Sequence, residues 1–259
     1  MCLIAVAWQA HPDYPLIVLA NRDEYHARPA APARFWGESP AVLAGRDLSA
    51  GGTWLGVTRQ GRFAALTNVR EPGMAQGERS RGLIVSTYLR GNGSPEAYVA
   101  QVTAEGRAYS GFNLLTSDGD SLWWTSNRCA GPRRLDPGIY MLSNHLLDTP
   151  WPKVELLRAG LLAQLPHPTP GALLALLQDE REAADIDLPD TGIGLVMERM
   201  LSAPFIRSAH YGTRASTVVL AGHARIRFVE QGYGPDGPLA RSEFAFDRLP
   251  AAQFYRGNT

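Results

Sequence analysis

Cysteine is scarce in this chain, since Cys2 and Cys129 are the only two among 259 residues. Two cysteines are too few for a disulfide framework or for a cysteine-ligated metal site. The six histidines show neither the His-Glu-x-x-His pattern nor any other close pair of ligands. The sequence therefore predicts no metal site, and a reducing compartment would keep both thiols free.

Net charge and long apolar runs are missing as well. The 25 basic and 25 acidic residues cancel, which argues against general binding of nucleic acid or of a membrane surface. No apolar run approaches the ~18 residues that a membrane-spanning helix needs. The start has no basic leader, and its apolar stretch breaks at His11-Pro12, unlike a signal peptide. We expect a cytoplasmic protein without a membrane span, and the sequence leaves its oligomeric state open.

The first two dozen residues contain the clearest structural signal. Two apolar runs flank His11-Pro12-Asp13-Tyr14, a pattern that predicts a β-hairpin with a four-residue connection. Counting outward from that connection pairs Cys2 with Asp23 and places them on the same face of the hairpin, with Arg22 on the other. Both runs are apolar on both faces, which is typical of a sheet that is covered on each side.

The rest of the chain predicts a mixture of strands and helices in blocks. The Pro- and Ala-rich stretch 25–50 is expected to be a long ordered loop, and 51–69 a hairpin with glycine in its turn. Helices are expected at 80–90, at a segment that begins at Pro95, and at 151–165, 170–180 and 192–203. After residue 110, strands are expected at 113–116, 121–125, 138–144, 215–221, 224–230 and 243–246. Strands that do not alternate with helices favour an α+β domain of antiparallel sheets with helices outside, and we expect one domain over 1–259.

Cys2 is the first candidate for chemistry because it follows the initiator methionine. A thiol with an ordinary pKa of about 8.5 is a poor nucleophile at neutral pH until a base takes its proton. Removal of Met1 would expose an α-amine on the same carbon, and such an amine can act as that base. The alternative is that Cys2 is a small buried residue at the start of a strand.

Met1-Cys2 together with Asn21-Arg22-Asp23-Glu24 resembles the NRDE-motif family, which includes the transport and Golgi organisation protein 2 homologues. Further blocks of the chain are similar to that family: Gly51-Gly-Thr-Trp-Leu-Gly, Leu66-Thr-Asn-Val-Arg70, Ser80-Arg-Gly82, Leu142-Ser-Asn-His145 and Tyr211-Gly-Thr-Arg214. The resemblance implies the N-terminal-nucleophile hydrolase fold, a four-layer αββα sandwich of two antiparallel sheets between helices. A more distant likeness to the choloylglycine hydrolase and penicillin V acylase group implies a catalytic asparagine at Asn144 and a late arginine at Arg214.

The resemblance suggests a role for each site residue, and each has a structural alternative. Asp23 would hold the α-ammonium, and Asn68 and Asn144 would donate to a developing oxyanion or simply cap turns. The residues expected to contact the ligand are Asn21, Arg22, Arg70 and Arg214. The alternative for Arg22 is an ion pair with Glu24 or Asp47, and the alternative for Arg214 is a structural contact.

Two functions are compatible with these residues. The first is an N-terminal-cysteine amidohydrolase in which Cys2, after Met1 removal, cleaves a small acyl-amide through a thioester and needs no cofactor. The second, implied by the resemblance alone, is a non-catalytic carrier of haem or acyl-coenzyme A. In the carrier, arginines near the pocket (Arg22, Arg28, Arg70, Arg79 and Arg81) would bind anionic groups, and haem would be the ligand rather than a resident cofactor.

Overall fold

The computed structural model of the chain describes residues 2–75 and 77–250. Its strands are β1 (Cys2–Trp8), β2 (Leu16–Tyr25), β3 (Ala30–Trp36), β4 (Ser39–Asp47), β5 (Leu55–Thr58), β6 (Phe63–Asn68), β7 (Phe112–Ser117), β8 (Leu122–Ser126), β9 (Arg133–Leu135), β10 (Gly138–Leu142), β11 (Tyr211–Ala221), β12 (Arg225–Gly234) and β13 (Gly237–Asp247). Its α-helices are α1 (Gly82–Arg90), α2 (Pro95–Ala104), α3 (Pro152–Gln164), α4 (Pro170–Leu176) and α5 (Leu195–Met200). The expectation of one domain over 1–259 stays a prediction, and its residues 251–259 lie outside the described ranges.

Two antiparallel sheets are stacked face to face. Sheet A has the order β10-β1-β2-β11-β12-β13, and sheet B has the order β3-β4-β5-β6-β7-β8-β9. Apolar side chains such as Val6 and Val18 from sheet A and Leu43 and Leu115 from sheet B fill the space between them. Helices α3 and α4 cover the outer face of sheet A, and α1 and α2 cover the outer face of sheet B. The α+β class and the four-layer αββα sandwich are therefore confirmed.

Both faces of strand β1 are apolar, and both are covered. Ile4 and Val6 contact the layer between the sheets, whereas Leu3 and Ala5 contact the helices outside sheet A. All seven residues of the strand are buried. The prediction of a strand covered on both faces is confirmed, and the start of β1 is fixed by packing on both sides.

The register of the β1–β2 hairpin differs from the prediction by one residue. Cys2 pairs with Arg22 and not with Asp23. The cause is Gln9, whose φ of 47° and N–H bond of 2.7 Å to the Pro15 carbonyl leave an odd number of residues in the connection. A shift of one residue moves every side chain to the other face. Cys2 and Arg22 therefore share the face toward sheet B, Asp23 lies on the face toward α3, and the predicted Cys2–Asp23 pairing is wrong.

The stretch 25–50 is not a loop, because it forms the β3–β4 hairpin. Strand β3 pairs only with β4 in sheet B, so it is an edge strand. Pro32 lies where the register of this pair shifts, between Ala31 and Arg34. Edge strands and bulges are the positions where a sheet tolerates proline. The proline content was therefore misleading about this segment.

The predicted turn between β5 and β6 and the predicted boundaries of the first two helices are confirmed. The β5–β6 turn contains Gly61 with a φ of 88°, a conformation that favours glycine. Helix α1 ends at Arg90 with Gly91 as its C-cap, and the Ser94 hydroxyl accepts a hydrogen bond from the Ala97 N–H at the start of α2. Within the described ranges, no helix combines the length and the apolar character that crossing a bilayer demands.

Candidate active site

A cavity of about 590 Å³ lies at the open end of the β1–β2 hairpin. Cys2 and Arg22 border it from β1 and β2, Asn68 from the end of β6, and Arg81 from the residue before α1. Cys2 is a free cysteine and is only 7% exposed. The fold therefore brings the thiol to the wall of an open cavity through packing that is otherwise typical of a core strand.

The thiol of Cys2 is not activated by its surroundings. Burial raises the pKa of the Cys2 thiol, the carboxylates of Asp23 and Glu24 raise it further, and Arg22 opposes them. A thiol with a raised pKa is protonated at neutral pH and needs a base before it can attack a carbonyl. The Cys2 carbonyl accepts a hydrogen bond of 3.3 Å from the Ser143 hydroxyl, which ties the start of β1 to the segment after β10.

Asp23 is buried behind this wall. Its Oδ1 accepts a hydrogen bond of 2.8 Å from the Thr213 hydroxyl, and that hydroxyl in turn accepts the Ile206 N–H at 2.9 Å. Burial raises the pKa of the Asp23 carboxyl, while the charge of Lys153 and the bond from Thr213 lower it. Asp23 also borders the cavity, so it and Cys2 meet at the same opening although their side chains lie on opposite faces of the hairpin.

Asn68 and Asn144 are brought together from the ends of β6 and β10. The Asn144 side-chain nitrogen donates to the Asn68 main-chain carbonyl at 3.1 Å and to its Oδ1 at 3.2 Å. Asn68 Oδ1 is engaged in this way, and its Nδ2 remains as the donor of that amide. Asn68 borders the cavity, whereas Asn144 is fully buried. Of the two amides, only that of Asn68 is available to a ligand in this arrangement.

Arg22 has the ion pairs that the sequence offered as an alternative to ligand binding. Its guanidinium is 3.4 Å from Asp47 and 3.9 Å from Glu24. Arg28 joins the same cluster, with its Nε 2.6 Å from Asp47 Oδ2. The bond to Arg28 offsets burial and holds the pKa of Asp47 below its usual range. The cluster shapes one side of the cavity with its charges largely neutralised.

Arg214 lies in a bulge of β11, where the pairing with β2 shifts between Thr213 and Ala215. Its guanidinium donates to four backbone carbonyls, those of Tyr25, His26, Arg28 and Tyr233, at 2.9–3.3 Å. Arg214 borders the cavity, but its guanidinium is occupied by these bonds, which join the end of β2 to β12. The structural alternative to ligand binding thus accounts for the contacts that Arg214 makes.

Asn21 and Arg70 do not border the cavity. Asn21 is fully buried and donates to the carbonyls of Leu177 and Pro204, which anchors β2 to the segments around α4 and before β11. Arg70 forms a buried ion pair of 2.6 Å with Glu198 of α5. Both side chains make internal contacts, so their predicted contact with a ligand has no support in this geometry.

The sequence motifs assigned no role to Lys153, and Arg81 was named only among the arginines near the pocket. Lys153, the only lysine, is 2% exposed, and its Nζ has no hydrogen-bond partner in the described ranges. Arg81 borders the cavity and has no carboxylate partner among residues 2–75 and 77–250. The signal for Lys153 was its uniqueness, and that for Arg81 was its place in the Ser80-Arg-Gly82 block. In the part of the chain that is described, no three His, Cys, Asp or Glu side chains form a group that could hold a metal ion.

The chain is similar to known proteins over most of its length. The family model described as Transport and Golgi organisation 2 matches residues 1–235. The Bos taurus transport and Golgi organization protein 2 homolog is 37% identical over 266 residues, which cover 89% of this chain and 92% of that protein. The Homo sapiens homolog is 36% identical over 258 residues with the same shares.

Two solved structures have a similar arrangement at low identity. One is the Caenorhabditis elegans ortholog of N-acylethanolamine-hydrolyzing acid amidase, with a TM-score of 0.48 and 12% identity over 85% of this chain and 92% of that one. The other is the C2A mutant of the conjugated bile acid hydrolase from Clostridium perfringens, with a TM-score of 0.46 and 13% identity over 95% and 92%. We draw no functional conclusion from likenesses of this degree. The family match and the mammalian relatives, in contrast, extend over most of the sequence, and this chain belongs to the Transport and Golgi organisation 2 family.

Proposed function

We propose that this protein is an N-terminal-cysteine amidohydrolase that cleaves a small acyl-amide once Met1 has been removed. The observation that carries the proposal is the register of the first hairpin. Cys2 pairs with Arg22, the chain neighbour of Asp23, and both Cys2 and Asp23 border the cavity. An α-amine on Cys2 would therefore lie at the same opening as the Asp23 carboxylate, beside the thiol.

This arrangement gives the thiol the base that its surroundings lack. The α-amine has an ordinary pKa of about 7.7–8.0, so its neutral form can accept the thiol proton. Asp23, held by Thr213 at 2.8 Å, would orient the resulting ammonium and stabilise its charge. Cys2 Sγ would then attack the carbonyl carbon, and the Asn68 amide would donate to the developing oxyanion. Asn144 would act as a positioning residue through its bonds to Asn68.

The remaining steps follow from proton balance. The tetrahedral intermediate collapses as the C–N bond breaks, and the ammonium gives its proton to the leaving amine. A thioester between Cys2 and the acyl group remains. Water then attacks that thioester, with the α-amine again serving as the base, and releases the carboxylic acid and the free thiol. No step requires a metal or a cofactor, and a reducing cytoplasm would keep the thiol available.

The test begins with the intact mass of the purified protein, which reports whether Met1 is absent. Hydrolysis of a panel of N-acyl amides by the processed protein is then compared with that of Cys2→Ala. We expect Cys2→Ala to lose at least ~10³-fold in turnover, the scale of removing a nucleophile, while it keeps its fold. Cys129→Ala is the matched control and should retain turnover, because Cys129 is the other free cysteine and does not border the cavity. Turnover by Cys2→Ala at the wild-type rate would rule out this mechanism.

The second candidate function is a carrier of haem or acyl-coenzyme A in the same cavity. The observation that favours it is Arg81 on the cavity wall, which has no carboxylate partner among the described residues and suits an anionic ligand. A carrier does not need the free α-amine. Retention of Met1, no turnover of the panel and saturable binding of haem or acyl-coenzyme A would together favour the carrier over the hydrolase.

A further inference from the structure

Among residues 2–75 and 77–250, six arginines border the cavity, and five of them are already engaged. Each engaged guanidinium has a carboxylate within 4 Å or a set of backbone carbonyls. The pairs are Arg22 with Asp47 and Glu24, Arg28 with the same two residues, Arg46 with Glu38, Arg79 with Glu105, and Arg214 with the carbonyls of Tyr25, His26, Arg28 and Tyr233. These five guanidinium groups are therefore held by partners within the protein.

Arg81 is the exception. Its Nη1 donates one hydrogen bond of 2.9 Å to the Gly111 carbonyl. In residues 2–75 and 77–250, no carboxylate lies within 4.0 Å of it and no second acceptor meets its guanidinium. The residue is half-buried at the cavity wall, directly before α1. A half-buried guanidinium that faces no anion has N–H groups available for charge-assisted hydrogen bonds to an anionic ligand.

Arg81 lies near enough to Cys2 for a thiolate formed there to influence it. Burial lowers the pKa of Arg81, and a Cys2 thiolate and the Glu24 carboxylate are the largest effects that oppose this shift. Both side chains border the same cavity. A ligand whose reacting carbonyl lies at Cys2 can therefore reach Arg81 with another of its groups.

We propose that Arg81 binds the carboxylate of the substrate, so that the amide cleaved at Cys2 belongs to an N-acyl amino acid and not to a neutral amide. The choice of amide rests on the proposed function above, whereas the anion site itself does not. The planar fork of a guanidinium matches a carboxylate with two parallel hydrogen bonds. One unpaired guanidinium neutralises one such monoanion, while a phosphate dianion would call for a second unpaired cation.

The anion site is tested without any hydrolysis, by the alkylation of Cys2 with two reagents of similar size. Iodoacetate carries a carboxylate and iodoacetamide is its neutral counterpart. In both reactions the Cys2 sulfur forms a bond to carbon as iodide leaves, so the ratio of the two rates cancels the reactivity of the thiolate. Peptide mass spectrometry separates Cys2 from Cys129, the only other cysteine. We expect the iodoacetate-to-iodoacetamide ratio to fall at least about fivefold in Arg81→Met, because one partly buried cation attracts the anionic reagent.

Arg79→Met is the matched control. Arg79 is two residues away and borders the same cavity, but its guanidinium is paired with Glu105 at 2.5 Å. Its ratio should stay within about twofold of wild type. Arg81→Lys keeps the charge and should keep most of the ratio, which separates loss of the cation from loss of the fold. An unchanged ratio in Arg81→Met, or an equal fall in Arg79→Met, would overturn the proposal.

The substrate class has its own measurement. If the protein hydrolyses acyl-amides, N-acyl amino acids should have a lower KM than their methyl esters, and Arg81→Met should abolish that difference. Equal KM values for acid and ester in the wild type would refute the carboxylate preference but not the hydrolase. A protein that hydrolyses nothing would instead refute the proposed function, and the alkylation ratio would still decide whether Arg81 forms an anion site.

Discussion

The ammonium of Lys153 is buried without a hydrogen-bond partner in the described ranges, and its removal should stabilise the protein. The side chain starts at the second residue of α3 and is 2% exposed. Burial lowers the pKa of Lys153 from 10.5 to about 8, and the charge of Asp23 offsets only part of this effect. Arg70 adds repulsion from the same region. We therefore predict that Lys153→Met raises the free energy of unfolding at neutral pH.

The magnitude follows from the two pKa values. The unfolded chain keeps this proton up to about pH 10.5, whereas the folded protein keeps it only to about pH 8. At ~1.4 kcal/mol per pKa unit, the charged side chain costs the folded state about 3 kcal/mol. This cost is present in full below pH 8, decreases as the pH rises from 8 to 10.5, and is absent above that range. The gain from Lys153→Met should follow the same course, since methionine carries no charge and has a similar length.

The assay is urea-induced unfolding at pH 7, 8, 9 and 10 for the wild type, Lys153→Met and Lys153→Arg. The difference between the first two proteins cancels the titration of all other groups. We expect Lys153→Met to be more stable by up to about 3 kcal/mol at pH 7 and the difference to shrink toward pH 10. Arginine stays charged throughout this range, so Lys153→Arg should gain nothing at pH 7 and should fall behind the wild type at pH 10.

The opposite result would refute the reasoning. A Lys153→Met protein that is less stable at pH 7 would mean that the ammonium stabilises the fold. Its attraction to Asp23 would then outweigh the cost of burying its charge. A difference that does not change between pH 7 and pH 10 would mean that Lys153 does not titrate in this window. Either outcome would remove the assignment of Lys153 as a destabilising charge behind the cavity.

Two further predictions concern packing around the site. Arg70→Met should lower the free energy of unfolding by about 3–5 kcal/mol, because it leaves the buried Glu198 carboxylate without its cation, and Arg70→Met/Glu198→Gln should recover much of the loss in the same urea titrations. Gly52→Ala should cost about 1–3 kcal/mol, because its Cβ would lie 2.3 Å from the backbone of Gly82, whereas Gly37→Ala, with nothing within 4 Å, should change the melting temperature little. A Gly52→Ala protein as stable as Gly37→Ala, or a double variant no better than Arg70→Met, would contradict these two accounts.

Much of the fold was readable from local patterns. The run Cys2–Trp8 is apolar on both faces, and this alone predicted a strand in a sheet that is covered on both sides. Ser94 and Gly91 marked the boundaries of the first two helices through capping preferences that act within a few residues. The exception was the stretch 25–50, because proline disfavours a central strand but not the edge position that β3 occupies.

The contacts of the site could be predicted less well, because they join residues that are distant in sequence. Asn68 and Asn144 meet across 76 residues, and Arg70 and Glu198 across 128. No local pattern reports that one arginine will find a carboxylate while Arg81 will not. That distinction depends on which acidic side chain the sheets bring to each position.

The sequence by itself determined that Cys2 starts a buried strand and that an Asn-Arg-Asp-Glu run ends the neighbouring strand. Only the tertiary structure decided how these two segments face each other. A single residue, Gln9, adopts a left-handed conformation, and the resulting register pairs Cys2 with Arg22 and puts Asp23 on the opposite face of the hairpin. The reason is physical: hydrophobic alternation fixes which residues are buried, but the register of a hairpin depends on the geometry of its turn, and a change of one residue there inverts every side chain that follows.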